Sequence, residues 1–149
     1  GYCSALADRS GELLGETGKV LESCPTGCDS ACHECLMHYW NQRAHGLLDR
    51  FAALELLKWC ESSKLPPALS YDRQEELLDP LNAMGAEYKI VGDGIRHYVK
   101  MQGRTSRMVV YPAMWSESNN LLPEGGIALA DKLLKYALPK ADEMIRQKI

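Results

Sequence analysis

The chain has 149 residues, of which 46% are hydrophobic and 25% are charged, and its formal net charge is −3. This length suits one domain or two small ones, and this composition is typical of a globular protein. No apolar run approaches the roughly 20 residues of a transmembrane helix, so a membrane-spanning helix is excluded within this sequence. The sequence begins with glycine instead of methionine, so we expect a fragment of a longer protein or a processed product.

Four of the six cysteines fall within twelve residues, at spacings of four, four and three: Cys24, Cys28, Cys32 and Cys35. Thiolates are strong ligands for Zn²⁺, and four of them complete a tetrahedral shell. Short loops bring the sulfurs together at low entropic cost, and Pro25 and Gly27 favour a bend between the first two. The spacing therefore predicts one structural zinc ion that closes a knot in the chain.

Three other interpretations of the cysteines stay open at this point. An iron–sulfur cluster also uses four cysteines, and we rank it below zinc because four-cysteine zinc sites are commoner. Two disulfides would require an oxidising compartment, whereas the sequence shows no secretory signal and we expect a cytoplasmic protein. A redox pair of Cys32 and Cys35 is the weakest alternative, because two further cysteines lie beside it.

Apolar spacing predicts two helices around this cysteine segment. The first covers residues 2–23, with a break near Ser10 and Gly11. The second is long and uninterrupted, from about residue 31 to Cys60, which would place Cys32 and Cys35 together on its first turn. The knot would then join the end of one helix to the start of the next.

Polar residues recur every four positions on the predicted long helix. Asn41, His45 and Asp49 would share one stripe, with Arg50 beside it. The stripe is interpreted either as a solvated face or buried polar network, or as a contact surface for nucleic acid or another protein.

The run from Cys28 to Leu54 resembles the MrfA-type zinc-binding domain. It carries the cysteines, then Asn41-Gln42, then His45, then Asp49-Arg50, in that order and at close spacing. That family occurs at the C-terminal end of superfamily 2 DNA helicases, with relatives in anti-phage systems such as DrmB of DISARM and the large helicase of Druantia. The resemblance covers residues 1–58 and implies that the four clustered cysteines are the metal ligands. It also implies an accessory module of a helicase, with the helicase core in the same chain or in a partner subunit, acting in DNA repair or phage defence.

The second half of the chain predicts a small α+β unit. We expect a helix over 71–84, kinked near Pro80 and ended by Gly85, and strands over 88–91, 95–102 and 108–111. A final helix over 127–148 would be broken near Pro139. The linker at 61–67 divides the chain into domains 1–62 and 63–149. The predicted fold is therefore a helical hairpin closed by a four-cysteine zinc knot, followed by a three-stranded α+β unit.

A basic segment lies within this second half. Residues 94–116 contain four cations and no acid, interleaved with aromatic residues: Arg96, Lys100, Arg104 and Arg107, with Tyr98, Tyr111 and Trp115. Cations that meet phosphates beside rings that stack on bases are typical of single-stranded DNA binding. The alternative is a solvated strand face with a basic loop.

Catalytic motifs are sparse. No GxxxxGK[ST] loop is present to hold ATP phosphates, so any ATP hydrolysis by the parent protein would occur elsewhere. Glu87 and Lys89 match half of a nuclease motif, with Asp72 or Asp79 as an upstream carboxylate, which leaves a nuclease as an alternative function. A protein-interaction module that does not bind DNA is a further alternative.

Overall fold

The structure is a computed structural model that describes residues 1–84, 87–115, 122 and 124–149. The described chain forms two compact units, Gly1–Lys64 and Leu65–Ile149, called here the helical unit and the sheet unit. The α+β class is confirmed, because helices precede a four-stranded sheet. The assignment of separate domains to 1–62 and 63–149 stays a prediction. None of the described helices is long and apolar enough to cross a membrane.

The helical unit contains three α-helices and one 3-10 helix. Helices α1 (Tyr2–Asp8) and α2 (Ser10–Glu22) replace the single helix predicted over 2–23. They meet at Arg9, next to the position where a break was expected. After the cysteine segment come a 3-10 helix (Tyr39–Leu47) and α3 (Arg50–Ser62).

The prediction of one long helix from residue 31 to Cys60 is wrong. The chain is extended at Leu48 and Asp49, and α3 begins only after them. The Asp49 carboxylate accepts hydrogen bonds from the backbone N–H groups of Phe51 (2.9 Å) and Ala52 (3.1 Å). Aspartate favours this N-cap position because its side chain satisfies N–H groups that lack helical partners. The predicted polar stripe of Asn41, His45 and Asp49 therefore does not exist as a helix face.

The helical unit buries few side chains. Only Leu21, Cys24, Asp49 and Arg50 are buried within residues 1–64. Helices α2 and α3 pack closely at Gly18, where an added Cβ would lie 3.4 Å from Leu57. So small an apolar core supplies little stability by itself, and other interactions have to hold this unit together.

The described part of the sheet unit has, in chain order, one helix, four strands and two helices: α4 (Tyr71–Met84), β1 (Lys89–Gly92), β2 (His97–Met101), β3 (Arg104–Tyr111), β4 (Ile127–Ala130), α5 (Asp131–Tyr136) and α6 (Leu138–Lys148). The strand order is β1-β2-β3-β4, with the first two pairs antiparallel and the last parallel. Helix α4 matches its prediction and contains Pro80, while the predicted end at Gly85 lies outside the described residues.

One detail of the C-terminal prediction is wrong. Residues Ile127–Ala130 form a fourth strand instead of the start of a helix, because Ile127 and Leu129 alternate into the core. A short apolar run fits a strand and a helix equally well, so the pattern did not separate them. The break expected near Pro139 is present at Ala137, and Pro139 lies in the first turn of α6, where a missing N–H costs nothing.

One face of the sheet carries the core of this unit. Helices α4, α5 and α6 pack on that face. The core includes Leu78, Leu81, Val99, Met108, Val110, Ile127, Leu129, Leu134 and Ile145. The edge strand β1 is covered by the amide of Asn82, which exchanges two hydrogen bonds with the backbone of Ile90 (2.8 and 3.2 Å). This pair satisfies backbone groups that an edge strand would otherwise expose.

Gly92 provides a test of this packing. The ring of Tyr71 stacks on buried His97 at 4.3 Å between centroids, and a Cβ at Gly92 would lie 1.8 Å from the Tyr71 hydroxyl oxygen. We expect Gly92→Ala to destabilise the sheet unit by about 1–3 kcal/mol through overpacking. The double variant with Tyr71→Phe should recover part of the loss. Urea denaturation followed by NMR of core methyl groups measures both, and equal stability of Gly92→Ala and wild type would contradict the prediction.

Candidate metal centre

The sulfur atoms of Cys24, Cys28, Cys32 and Cys35 all lie within 4.8 Å of one another. Four of the Sγ–Sγ distances are 3.5, 3.7, 3.7 and 3.8 Å. A tetrahedron with Zn–S bonds of about 2.3 Å has edges of about 3.8 Å. None of the six cysteines is in a disulfide. The four sulfurs are therefore arranged so that they could hold a single metal ion.

Local turns bring the four sulfurs together. Gly27 adopts φ +59°, a left-handed conformation that glycine tolerates best, and its N–H donates to the Cys24 carbonyl. The carbonyl of Cys32 accepts from the N–H groups of Cys35, Leu36 and Met37 at 2.9–3.1 Å. The Cys32 N–H lies 3.3 Å from the Cys35 sulfur. Cys32 and Cys35 are thus close because of a tight turn and not because of the predicted helix.

The hydroxyl of Thr26 lies between two of the sulfurs, 3.2 Å from Cys24 and 3.0 Å from Cys32. This hydroxyl is the main cause of the lowered pKa of about 5 at the free Cys24 thiol and of a lowered pKa at Cys32. Burial, followed by hydrogen bonds with the neighbouring thiols, raises the pKa of Cys28 to about 12. A bound cation would deprotonate all four ligands regardless of these differences. The sequence analysis did not identify Thr26 as part of the site. Its position between two cysteines of a Cys-x-x-x-Cys loop, where a hydroxyl can reach the sulfurs, is the feature that indicates this role.

Arg50 connects three segments around the cysteines. Its side chain is buried, and its Nε donates to the Cys28 carbonyl at 3.0 Å. Its Nη1 donates to the carbonyls of Leu21 (2.7 Å) and Glu22 (3.3 Å), which belong to the last turn of α2 and lack helical partners. Its backbone N–H donates to the Ser30 carbonyl at 2.7 Å. Arg50 therefore joins the end of α2, the cysteine loop and the start of α3.

Asn41 and His45 also have internal roles. The Asn41 amide accepts from the His38 N–H (2.9 Å) and donates to the Leu36 carbonyl (2.7 Å). Its oxygen lies 2.9 Å from Nε2 of His45, whose ring meets His33 edge-on at 5.6 Å. Together with the Asp49 cap, these bonds fix the backbone that follows the cysteines. The structure thus assigns internal contacts to the three residues predicted on the polar stripe, Asn41, His45 and Asp49, and to Arg50 beside it.

The predicted basic segment is divided by the sheet. Tyr98, Lys100 and Arg107 lie on the face opposite the core, because the strand register gives them the same parity. Arg104 has the other parity and donates to the Ile149 carbonyl at 2.7 Å. Arg96 is exposed and immediately precedes β2. The aromatic residues Tyr111 and Trp115 are buried, and the Trp115 indole donates to the Pro66 carbonyl.

The half-motif of a nuclease is not assembled in the described residues. Glu87 pairs with Arg146 of α6, and Lys89 lies on the face opposite the core. In the described part of the chain, the four cysteines are the only group of three or more His, Cys, Asp or Glu side chains close enough to hold an ion. Asp72, Asp79 and Glu87 therefore form no such group.

These features define an α+β protein with a four-cysteine candidate metal centre. Over 161 aligned residues the chain is 29% identical to Druantia protein DruE of Escherichia coli (strain UMEA 4076-1). The match covers 99% of this chain but only 9% of the relative's length, so the similarity concerns a small part of that protein. No family model matches the chain, and no solved structure matches it.

Proposed function

We propose that this chain is an accessory zinc-binding module of a bacterial DNA helicase or of a helicase-associated defence protein. The observation that carries the proposal is the set of four sulfurs with tetrahedral spacing at residues 24–35. The ion is structural, because four thiolates fill its shell and leave no position for water. Its binding free energy then stabilises a unit that buries little else.

The spacing of the sulfurs favours zinc over a cluster. Separations of 3.5–3.8 Å suit four ligands on one ion, whereas the several irons of a cluster would hold the thiolates farther apart. Cys24, Cys28, Cys32 and Cys35 are the proposed ligands, in agreement with the resemblance to the MrfA-type domain.

The similarity to Druantia protein DruE supports phage defence over DNA repair as the setting. Because the relative is about eleven times longer than the match, the proposed helicase core lies outside these 149 residues, in the same polypeptide or in a partner subunit. The module would act in the cytoplasm and contribute structural support together with contacts to DNA or to the helicase core.

A protein-interaction module that does not bind DNA is the second candidate. It is favoured by the large apolar side chains that the helical unit leaves exposed: Tyr2, Leu6, Leu13, Leu14, Val20, Tyr39, Trp40, Leu47, Phe51, Leu56 and Trp59. Tyr2, Leu6 and Leu13 line a groove of about 350 Å³. Exposed apolar surface of this extent is typical of a protein contact.

Elemental analysis of the purified chain tests the metal. We expect one zinc per chain and loss of helical circular dichroism after chelation, because the ligands hold the helical unit together. Iron accompanied by visible absorbance would overturn the zinc assignment. The metal centre itself would be contradicted if protein purified without chelator contained no metal and if added chelator left its melting temperature unchanged.

A further inference from the structure

The sheet has an outer face, opposite the face that α4, α5 and α6 cover. Strand register places Lys89 directly opposite Lys100, and Tyr98 directly opposite Arg107. Val91 and Thr105 complete the same two rows. The outer face is defined here by Lys89, Val91, Tyr98, Lys100, Thr105 and Arg107.

The charged side chains of the outer face itself are all positive, and the Asp93 carboxylate contacts its edge at the Tyr98 hydroxyl. Lys89, Lys100 and Arg107 are exposed, and none has an ion-pair partner among the residues that the structure describes. Like charges directly opposite each other on neighbouring strands destabilise a sheet. An anion that bridges Lys89 and Lys100 would remove this repulsion, so the surface is complementary to a chain of phosphates.

Tyr98 is held in place among these cations. Its hydroxyl donates to Oδ2 of Asp93 at 3.2 Å, and the other carboxylate oxygen accepts from the backbone N–H groups of Ile95 and Arg96. These backbone bonds are the main cause of a lowered pKa at Asp93, so the carboxylate stays available as the acceptor. The Tyr98 ring is half-buried and fixed beside Arg107 instead of being free to rotate into solvent.

We propose that the outer face binds single-stranded DNA, with Lys89, Lys100 and Arg107 contacting phosphates and one base stacking on Tyr98. A fixed ring among cations on an exposed sheet is suited to an unpaired base, since every base offers a face for stacking. A duplex would hide its base faces from this ring. The proposal rests on the proposed function as a helicase-associated module, but it does not depend on the metal.

Fluorescence anisotropy with a labelled twenty-nucleotide oligo-dT and the 149-residue chain tests the proposal over a series of salt concentrations. Three phosphate contacts predict a slope of about −2 for log K against log salt. We expect Lys89→Glu with Lys100→Glu to weaken binding by at least about tenfold and to make the slope shallower by about 1.4. Tyr98→Ala should weaken binding by about tenfold, whereas Tyr98→Phe keeps the ring and should stay within about twofold.

The matched control is Lys140→Glu with Lys148→Glu, which makes the same charge change at exposed positions of α6. Equal loss of affinity in this control would show that binding follows net charge alone and would overturn the proposal. The proposal would also be overturned if a duplex of equal length bound as tightly as oligo-dT and if Tyr98→Ala did not weaken the binding of that duplex.

Metal content is measured on every sample, so that a failure of the outer face and a failure of the zinc centre can be distinguished. If the chain contains no metal but binds DNA as expected, only the proposed zinc centre is contradicted. If the chain contains zinc but Lys89→Glu with Lys100→Glu leaves DNA binding unchanged, only the proposal for the outer face is contradicted.

Discussion

Cys32→Ser is expected to release the metal and to unfold the segment from about residue 20 to residue 45. A serine hydroxyl is a poor zinc ligand, and three thiolates leave an incomplete shell. Structural zinc contributes on the order of 10 kcal/mol of folding free energy, far more than the small apolar core of the helical unit supplies. The sheet unit has its own core and should retain its structure.

Metal content together with helical circular dichroism measures this effect. Cys60→Ser is the matched control, because Cys60 is exposed on α3 and lies outside the cysteine cluster. The Cys60→Ser control should retain the metal and should melt at the same temperature as the wild-type protein. A Cys32→Ser protein that retains one metal ion and a native helical signal would show that Cys32 is not a required ligand.

Arg50→Met should be the next most damaging substitution. Methionine keeps much of the apolar stem but removes the donors that bind the carbonyls of Leu21, Glu22 and Cys28. The Leu21 contact is buried, whereas those with Glu22 and Cys28 are partly buried, so water can replace part of what they lose. A buried acceptor without a partner costs about 1–3 kcal/mol, and a total loss of about 3 kcal/mol is expected for the helical unit. Zinc affinity should fall as well, because the Cys28 loop would lose its attachment to α2 and α3.

Arg50→Lys separates charge from geometry. A lysine ammonium carries the same charge but cannot reach several carbonyls with a planar fork, so it should recover only part of the loss. Arg43→Met at an exposed position is the control for removing an arginine. Zinc competition with a chromogenic chelator and urea denaturation measure affinity and stability. Wild-type values for Arg50→Met in both measurements would show that its hydrogen bonds do not support the centre.

The cysteine cluster could be predicted from the sequence because its geometry is local. Ligands separated by three or four residues have to lie close together once the chain bends, whatever the rest of the fold does. The role of Arg50 could not be predicted in the same way. Its partners lie 22 to 29 residues away along the chain, and a basic residue next to Asp49 fits a surface contact equally well.

Helix boundaries were the least predictable part of the fold. Apolar spacing continued through Leu47 and into α3, and it concealed the capping role of Asp49. The strand Ile127–Ala130 was missed because four residues are too few to distinguish a period of two from one turn of helix. Lys89 was considered only as part of a nuclease motif, since its position opposite Lys100 depends on a strand register that the sequence does not contain.

The four-cysteine loop can form early during synthesis, because its sulfur ligands are close together along the chain. The sulfur contacts join residues three to eight positions apart, whereas the Arg50 contacts have to wait for a residue more than twenty positions downstream. A loop of about ten residues closes in roughly 10–100 ns, far faster than a ribosome adds the next amino acid. We therefore expect a nascent chain to capture its ion soon after Cys35 emerges, so that α3 docks onto a preformed knot.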